Sequence, residues 1–173
     1  MKLIPLGGKY GIGKFALVDD EDYDYLMQWK WQGKKWKNDN TIYAARTVHK
    51  SKKFNITKDS WTSIHRTVMK CTPFDGVIID HKDGNGLNNQ KNNLRFCTQT
   101  QNQRNRKCKK QKSSLYKGVS YRSDNDQWRA YICVDTKTIN LGQFKKQEDA
   151  AMAYDLAAKK YFGEFANLNF RQE

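Results

Sequence analysis

Short apolar runs separated by polar turns dominate this chain, a pattern that predicts more strands than helices. Phe15-Ala16-Leu17-Val18 reads as a buried strand. Asp19 and Asp20 can cap a short helix from Asp22 to Gln28, whose acidic first turn suits the positive end of the helix dipole. Trp29-Lys30-Trp31 alternates apolar and basic, Asn38-Asp39-Asn40 marks a turn, and residues 41–48 resume as a strand. From Ser60 to Met69 the spacing predicts a helix with Trp61, Ile64 and Val68 on one face. Val77-Ile78-Ile79 then runs into Asp80-His81. A turn at Asp83-Gly84-Asn85-Gly86 and an Asn-rich loop lead to a second strand through Asn93-Leu94-Arg95-Phe96, and Thr98 to Gln103 opens a helix.

A different pattern begins near Ser113. Lys117 to Arg122 is a strand and Ser123-Asp124-Asn125-Asp126 a turn. Trp128 to Val134 alternates, with Trp128, Ala130 and Ile132 on one side and Arg129, Tyr131 and Cys133 on the other. Thr138 to Leu141 is a third strand. Gln147 to Tyr161 is a helix stopped at Gly163, with Ala150, Tyr154, Ala157 and Tyr161 as its core stripe. Three antiparallel strands backed by one helix leave the other sheet face polar, suited to a DNA groove.

Composition sharpens this picture. In 173 residues, hydrophobic content of 38% limits the chain to small cores, and aromatics at 13% must fill them. The net charge of +14 points to a polyanionic partner, because Lys and Arg displace counterions condensed on phosphates. Between Gly84 and Ser123 there are ten Lys and Arg and no Asp or Glu. Six of the nine residues from Arg104 to Lys112 are basic, among them Arg106, Lys107, Lys109 and Lys110. They read as an extended linker lying along phosphates, or as a solvated one. No basic amphipathic helix, signal peptide or transmembrane run is evident, so a cytoplasmic protein that does not bind membranes is expected. Cys71, Cys97, Cys108 and Cys133 lack the spacing of a zinc or redox motif.

The candidate chemistry lies between Asp80 and Asn102. Hydrolysis of a phosphodiester needs a nucleophilic water, charge stabilisation on the phosphoryl oxygens and help for the leaving 3′-oxygen. Neutral His81 suits a general base. Asp80, next to it in a strand, projects to the other side of the pleat and is placed to hold a metal. Asn102 offers a neutral oxygen ligand, and the pair suits a hard ion, Mg2+ or Mn2+ in its place. One carboxylate is too few for two metals. Asn93 can hydrogen-bond across the hairpin and hold the loop that bears His81. The competing reading is a plain Asp-Gly-Asn-Gly turn capped by asparagines. His65 reads as a packed or hydrogen-bonded core histidine, and His49 as surface.

Asp80-His81-Lys82-Asp83-Gly84-Asn85, Leu87-Asn88-Asn89, Asn93-Leu94-Arg95 and Gln101-Asn102 resemble the HNH (His-Asn-His) endonucleases, in particular the phage homing endonucleases. The resemblance implies a ββα-metal fold, with His81 as general base, Asn93 orienting its loop, and Asp80 and Asn102 as metal ligands. The last motif position, often histidine, is asparagine here, which leaves the metal's identity open. Ile64-His65-Arg66 looks like the helix that precedes the motif in these proteins.

Tyr116-Lys117-Gly118-Val119, Trp128-Arg129-Ala130, Leu141-Gly142-Gln143-Phe144, Glu148-Asp149-Ala150-Ala151 and Leu168-Asn169-Phe170 resemble the DNA-binding domain of plant ethylene-response factors, the apetala family. That resemblance implies a sheet in the major groove read by Lys117, Ser120, Arg122, Tyr131, Cys133, Thr138 and Asn140, with Arg129 on the same face by alternation. Ser120, Cys133 and Thr138 stand where the family carries arginines, so the plant target sequence does not carry over.

The expected architecture is α+β: a β-rich region over 1–59, a nuclease core over 60–106, a basic linker over 107–114 and a DNA-binding domain over 115–173. The expected function is that of a metal-dependent, site-specific endonuclease acting on double-stranded DNA as a monomer. The rivals are a DNA-binding regulator with an inactive nuclease core, and an RNA-binding protein.

Overall fold

The computed structural model describes residues 1–36, 41–49, 59–72, 74–105 and 113–170. Arg106, Lys107, Cys108, Lys109 and Lys110, and the turn Asn38-Asp39-Asn40, lie outside the described residues. The chain is a β-rich α+β protein that divides into two compact units, Met1–Thr98 and Gln99–Glu173.

In the first unit, β1 (Lys2–Pro5) pairs antiparallel with β2 (Phe15–Val18), Lys2 opposite Val18. β2 is buried on one face only. Ala16 and Val18 are enclosed, while Phe15 is 51% exposed, as a strand at the edge of a small core must be. The β1–β2 loop lies against the chain at Gly33, where a Cβ on Gly11 would stand 2.6 Å from the Gly33 nitrogen. Only glycine permits that approach.

α1 spans Asp20–Leu26, two residues earlier than its acidic pattern suggests. Asp19 occupies the N-cap position, but its side chain makes no cap bond and instead reaches the Asn-rich loop. β3 (Gln32–Lys35), β4 (Ile42–Val48) and β5 (Ser60–Ser63) form an antiparallel sheet in that order. Here the expectation of a helix from Ser60 to Met69 fails. Ser60–Ser63 is a strand, paired Val48 to Ser60 and Ala45 to Ser63, and only α2 (Ile64–Val68) is helical. Trp61 therefore does not share a helical face with Ile64 and Val68; open hydrogen-bonding positions on β4 outweigh the helical spacing. β6 (Ile78–His81) and β7 (Leu94–Cys97) complete the unit as a hairpin. The core is built from Ile4, Val18, Leu26, Trp31, Ile64, Ile79 and Leu94. Trp31 donates its indole N–H to the Leu26 carbonyl at 2.8 Å.

The second unit opens with α3 (Gln99–Asn105), followed by β8 (Val119–Arg122), β9 (Gln127–Val134), β10 (Lys137–Phe144) and α4 (Gln147–Phe162). The sheet is antiparallel with β9 in the middle. β10 is twice the expected length and continues past a register shift between Asn140 and Gly142, where Gly142 takes φ +121. α4 buries Ala150, Ala151, Tyr154, Asp155, Ala158 and Phe162. The stripe read from the sequence is thus rotated: Ala150 and Tyr154 are in it, while Tyr161 is 39% exposed and Phe162 takes its place. Asp155 is buried because its carboxylate accepts the backbone N–H groups of Asn169 and Phe170, at 2.8 and 2.9 Å. Among the described residues no helix is long and apolar enough to cross a membrane.

Candidate active site and nucleic-acid interface

The loop between β6 and β7 is built from amide side chains around one carboxylate. Asp83 accepts from the Asn85 backbone N–H at 2.8 Å, from Asn88 Nδ2 at 2.9 Å and from Asn93 Nδ2 at 3.0 Å. Asn93, buried on the 3-10 turn Lys91–Asn93, also donates to the Asn88 carbonyl at 2.8 Å and accepts the Asp83 backbone N–H at 3.1 Å. It clamps the two ends of the loop together at the point where the chain leaves His81. The loop is stapled to β2 by Leu17 N–H to the Leu87 carbonyl and Asn89 N–H to the Leu17 carbonyl, both 2.8 Å. Asp19 holds its far side, accepting from the Lys91 backbone N–H at 2.8 Å and from Gln90 Nε2 at 3.1 Å. The amino-terminal strands thus brace the loop, a role the sequence reading did not assign to them.

His81 ends β6 and is 5% exposed. Asn89, itself 1% exposed, donates Nδ2 to the Leu87 carbonyl at 3.0 Å, which leaves its Oδ1 to accept from His81 Nε2 at 3.4 Å. That contact puts the proton of the neutral ring on Nε2 and the lone pair on Nδ1. Burial pushes His81 below the ordinary imidazole value, opposed by Asn89 and by the Asp83 and Asp80 carboxylates. The ring is therefore neutral at pH 7, as a general base requires. Two rings from other elements lie against it: Tyr43, to which the sequence assigns no role at the site, and His65, which reads from the sequence as a packed core histidine. The Tyr43 ring from β4 is 5.9 Å away, and the His65 ring from α2 stands perpendicular at 5.0 Å. Asn89 and Tyr43 were hidden because nothing in the local sequence links β4, or one asparagine among several, to the imidazole.

Asp80 is 6% exposed and faces Arg95, its cross-strand partner. Arg95 Nε and one terminal NH2 bind Asp80 Oδ2 at 2.9 and 2.7 Å. The guanidinium holds this carboxylate oriented inside the unit. Asn102 lies half-buried on α3, in the second unit. Among the described residues no three His, Cys, Asp or Glu side chains gather to form a metal cluster. A carboxylate with an amide oxygen is nonetheless a donor set that fits a hard divalent cation whose other ligands are water and phosphate oxygens.

In the second unit, cross-strand pairing puts Ser120 opposite Arg129, Tyr131 opposite Asn140 and Cys133 opposite Thr138. These six and Arg122 share the sheet face turned away from α4, whose contacts are with Ala130 and Ile132 on the opposite face. Arg122 forks onto Asp124 at 3.0 and 2.6 Å, and Arg129 lies over the Tyr131 ring at 5.7 Å. Lys117 precedes β8; its backbone N–H bonds Asn169 at 2.7 Å and its Nζ reaches the Arg104 carbonyl at 2.6 Å. The Arg104 guanidinium folds over Phe162 at 4.8 Å and binds Asp135 at 3.0 Å. The structure thus engages Arg104 within the second unit.

Comparison with known proteins agrees with both regions. Residues 70–104 match the HNH endonuclease family, and residues 114–164 match the AP2 domain. Over 160 residues, 92% of this chain and 76% of the relative, the chain is 29% identical to an uncharacterized HNH endonuclease of Acanthamoeba polyphaga mimivirus. It is 33% identical over 93 residues to Protein 3.8 of Escherichia phage T7, covering 54% of this chain and 76% of that protein. It is 42% identical over 60 residues to the AP2-like ethylene-responsive transcription factor AIL5 of Arabidopsis thaliana, covering 34% of this chain but 11% of the plant factor. With a neutral, amide-braced histidine beside a strand carboxylate in one unit and a polar-faced sheet in the other, the chain belongs to the HNH endonuclease family and carries an AP2 domain.

Proposed function

We propose that this protein is a metal-dependent, site-specific DNA endonuclease that hydrolyses phosphodiester bonds with a single divalent cation, in the manner of a phage homing endonuclease. Residues 60–106 act as a ββα-metal nuclease core, the basic segment 107–114 follows the phosphate backbone, and 115–173 hold a longer target. His81 accepts the proton of the attacking water at Nδ1. Asn89 keeps the other proton on Nε2, and Asn93 keeps the loop closed so that the ring does not swing. Asp80 and Asn102 would hold the cation, Mg2+ or Mn2+. When bound, it supplies charge stabilisation to the phosphoryl oxygens and the leaving 3′-oxygen.

The observation that carries this reading is a buried imidazole kept neutral next to an oriented carboxylate, at the end of a loop clamped by its own asparagines. In the second unit, Lys117, Ser120, Arg122, Arg129, Tyr131, Cys133, Thr138 and Asn140 face base edges, while Arg104, Arg106, Lys107, Lys109 and Lys110 meet phosphates. A major-groove sheet favours double-stranded DNA over RNA, whose deep, narrow major groove excludes it. Action as a monomer on an asymmetric site, in the cytoplasm of a bacterial or phage-infected cell, completes the proposal.

The test is incubation with a randomised duplex library in Mg2+, with sequencing of the new ends. Cuts at one recurring sequence, lost with chelator, support it. Binding without cuts in either Mg2+ or Mn2+ would instead identify a DNA-binding regulator.

A further inference from the structure

His65 is the second residue of α2, directly after the strand that ends at Ser63. Its Nε2 is 2.8 Å from Ser63 Oγ. Its Nδ1 is sealed from solvent and has no hydrogen-bond partner among the described residues. Packing alone does not favour such an atom: a buried polar nitrogen without a partner forfeits its hydration and gets nothing in exchange, and an apolar side chain of similar size avoids that loss. A role other than filling space is the reason to look at its neighbours.

Those neighbours are two rings. The His65 and His81 planes meet at 90° with centroids 5.0 Å apart, and Tyr43 packs on both, at 5.8 Å from His65 and 5.9 Å from His81. Tyr43 is itself fixed by the Asn-rich loop, where a Cβ on Gly86 would lie 2.7 Å from Tyr43 Cδ1. His81 is thus gripped on two sides by different elements. Asn89 holds one ring nitrogen in the plane, and the His65 ring meets it at a right angle. An edge-to-face contact fixes the ring plane in a way that an in-plane hydrogen bond does not, because rotation about that bond leaves its length unchanged. Burial holds His65 down to about 3, with His81 and Arg66 acting in the same direction. It therefore stays neutral and does not repel the positive charge that would form on His81 after proton transfer.

We propose that His65 is a positioning residue that sets the ring plane of His81, with Ser63 as the anchor that locks His65 in turn. This rests on the reading of His81 as the general base. Unlike a merely structural histidine, a positioning one changes the chemical step and leaves DNA affinity alone.

The experiment measures single-turnover cleavage and DNA affinity for wild type, His65→Ala, Ser63→Ala and His81→Ala, together with 15N shifts of the His81 ring. His65→Ala should slow the single-turnover rate by about 10–100-fold, the usual effect of losing a residue that orients a catalytic one, with Kd unchanged. Its His81 nitrogens should keep the Nε2–H pattern that Asn89 imposes, but their signals should move and broaden as the ring plane is freed. Ser63→Ala, which keeps the ring but frees it, should do the same to a smaller degree, and it decides the matter if His65→Ala does not fold. Wild-type rates and shifts in the folded variants overturn the inference while leaving the base assignment intact. A His81→Ala protein that still cuts normally overturns the base assignment itself.

Discussion

Removing the Asn93 side chain gives the most quantitative test of how the loop is held. Asn93→Ala deletes three hydrogen bonds at once: Asp83 N–H to Oδ1 at 3.1 Å, Nδ2 to Asp83 Oδ1 at 3.0 Å, and Nδ2 to the Asn88 carbonyl at 2.8 Å. The site is 7% exposed, so water does not freely replace them. Two neutral bonds at about 1 kcal/mol each and one to a carboxylate at about 2 kcal/mol sum to roughly 4 kcal/mol. Asp83 keeps the Asn85 N–H and Asn88 Nδ2, which brings the expected loss to about 3 kcal/mol. At about 4–8 °C per kcal/mol for a unit of this size, the melting transition should drop by more than about 10 °C. Urea unfolding followed by tryptophan emission reads this directly, because Trp29, Trp31, Trp36 and Trp61 all lie in the first unit. Asn93→Asp should be worse, since it sets a second carboxylate against Asp83. A loss below about 1 kcal/mol for Asn93→Ala would mean that the amide network does not hold the loop.

Acid should weaken the first unit in a defined window. His65 is held at about 3 against an ordinary 6.5, so the unfolded chain takes up the proton first. The stability that neutral His65 contributes is full above pH 6.5 and drains as pH falls toward 3, and His81 acts with the same sign. Denaturant titrations at pH 7 and pH 4.5 should differ, and His65→Phe should narrow the difference; an unchanged difference contradicts the assignment. In the second unit, Gly118 sits at φ +71 with Tyr154 Cδ2 2.0 Å from where a Cβ would stand. Gly118→Ala should therefore cost more than about 3 kcal/mol and abolish DNA binding by the sheet, seen as loss of the native Trp128 signal and of affinity together. An intact signal would refute that packing.

Much of the second unit was legible because its information is local. The alternation from Trp128 to Val134 fixes which side chains face α4, and pairing with β8 and β10 carries that assignment across the sheet. The stripe on α4 was misplaced by one residue, since Tyr161 and Phe162 are both large and aromatic and only the turn ending the helix decides between them. In the first unit, Ser60 to Met69 looked helical from spacing alone. No local signal says that β4 offers its edge to Ser60–Ser63, because that partner is remote in sequence. Asp19 was misassigned for the same reason: an acidic residue before a helix looks like a cap, but here it binds Gln90 and Lys91, 71 and 72 residues away. The motif itself was visible in Asp80, His81 and Asn93. The supporting roles of Asn89, Tyr43 and Arg95 were not, because each acts through a contact set by tertiary structure.

The role proposed for His81 is to drive the cut, not to hold the DNA. The direct measurement is parallel cleavage and affinity for His81→Ala on a duplex containing the target site, in Mg2+. Cleavage should fall by at least about 100-fold, the scale of a lost general base, while Kd should stay within about twofold because the proposed phosphate and groove contacts lie elsewhere. Cleavage at the wild-type rate, with binding unchanged, would contradict it.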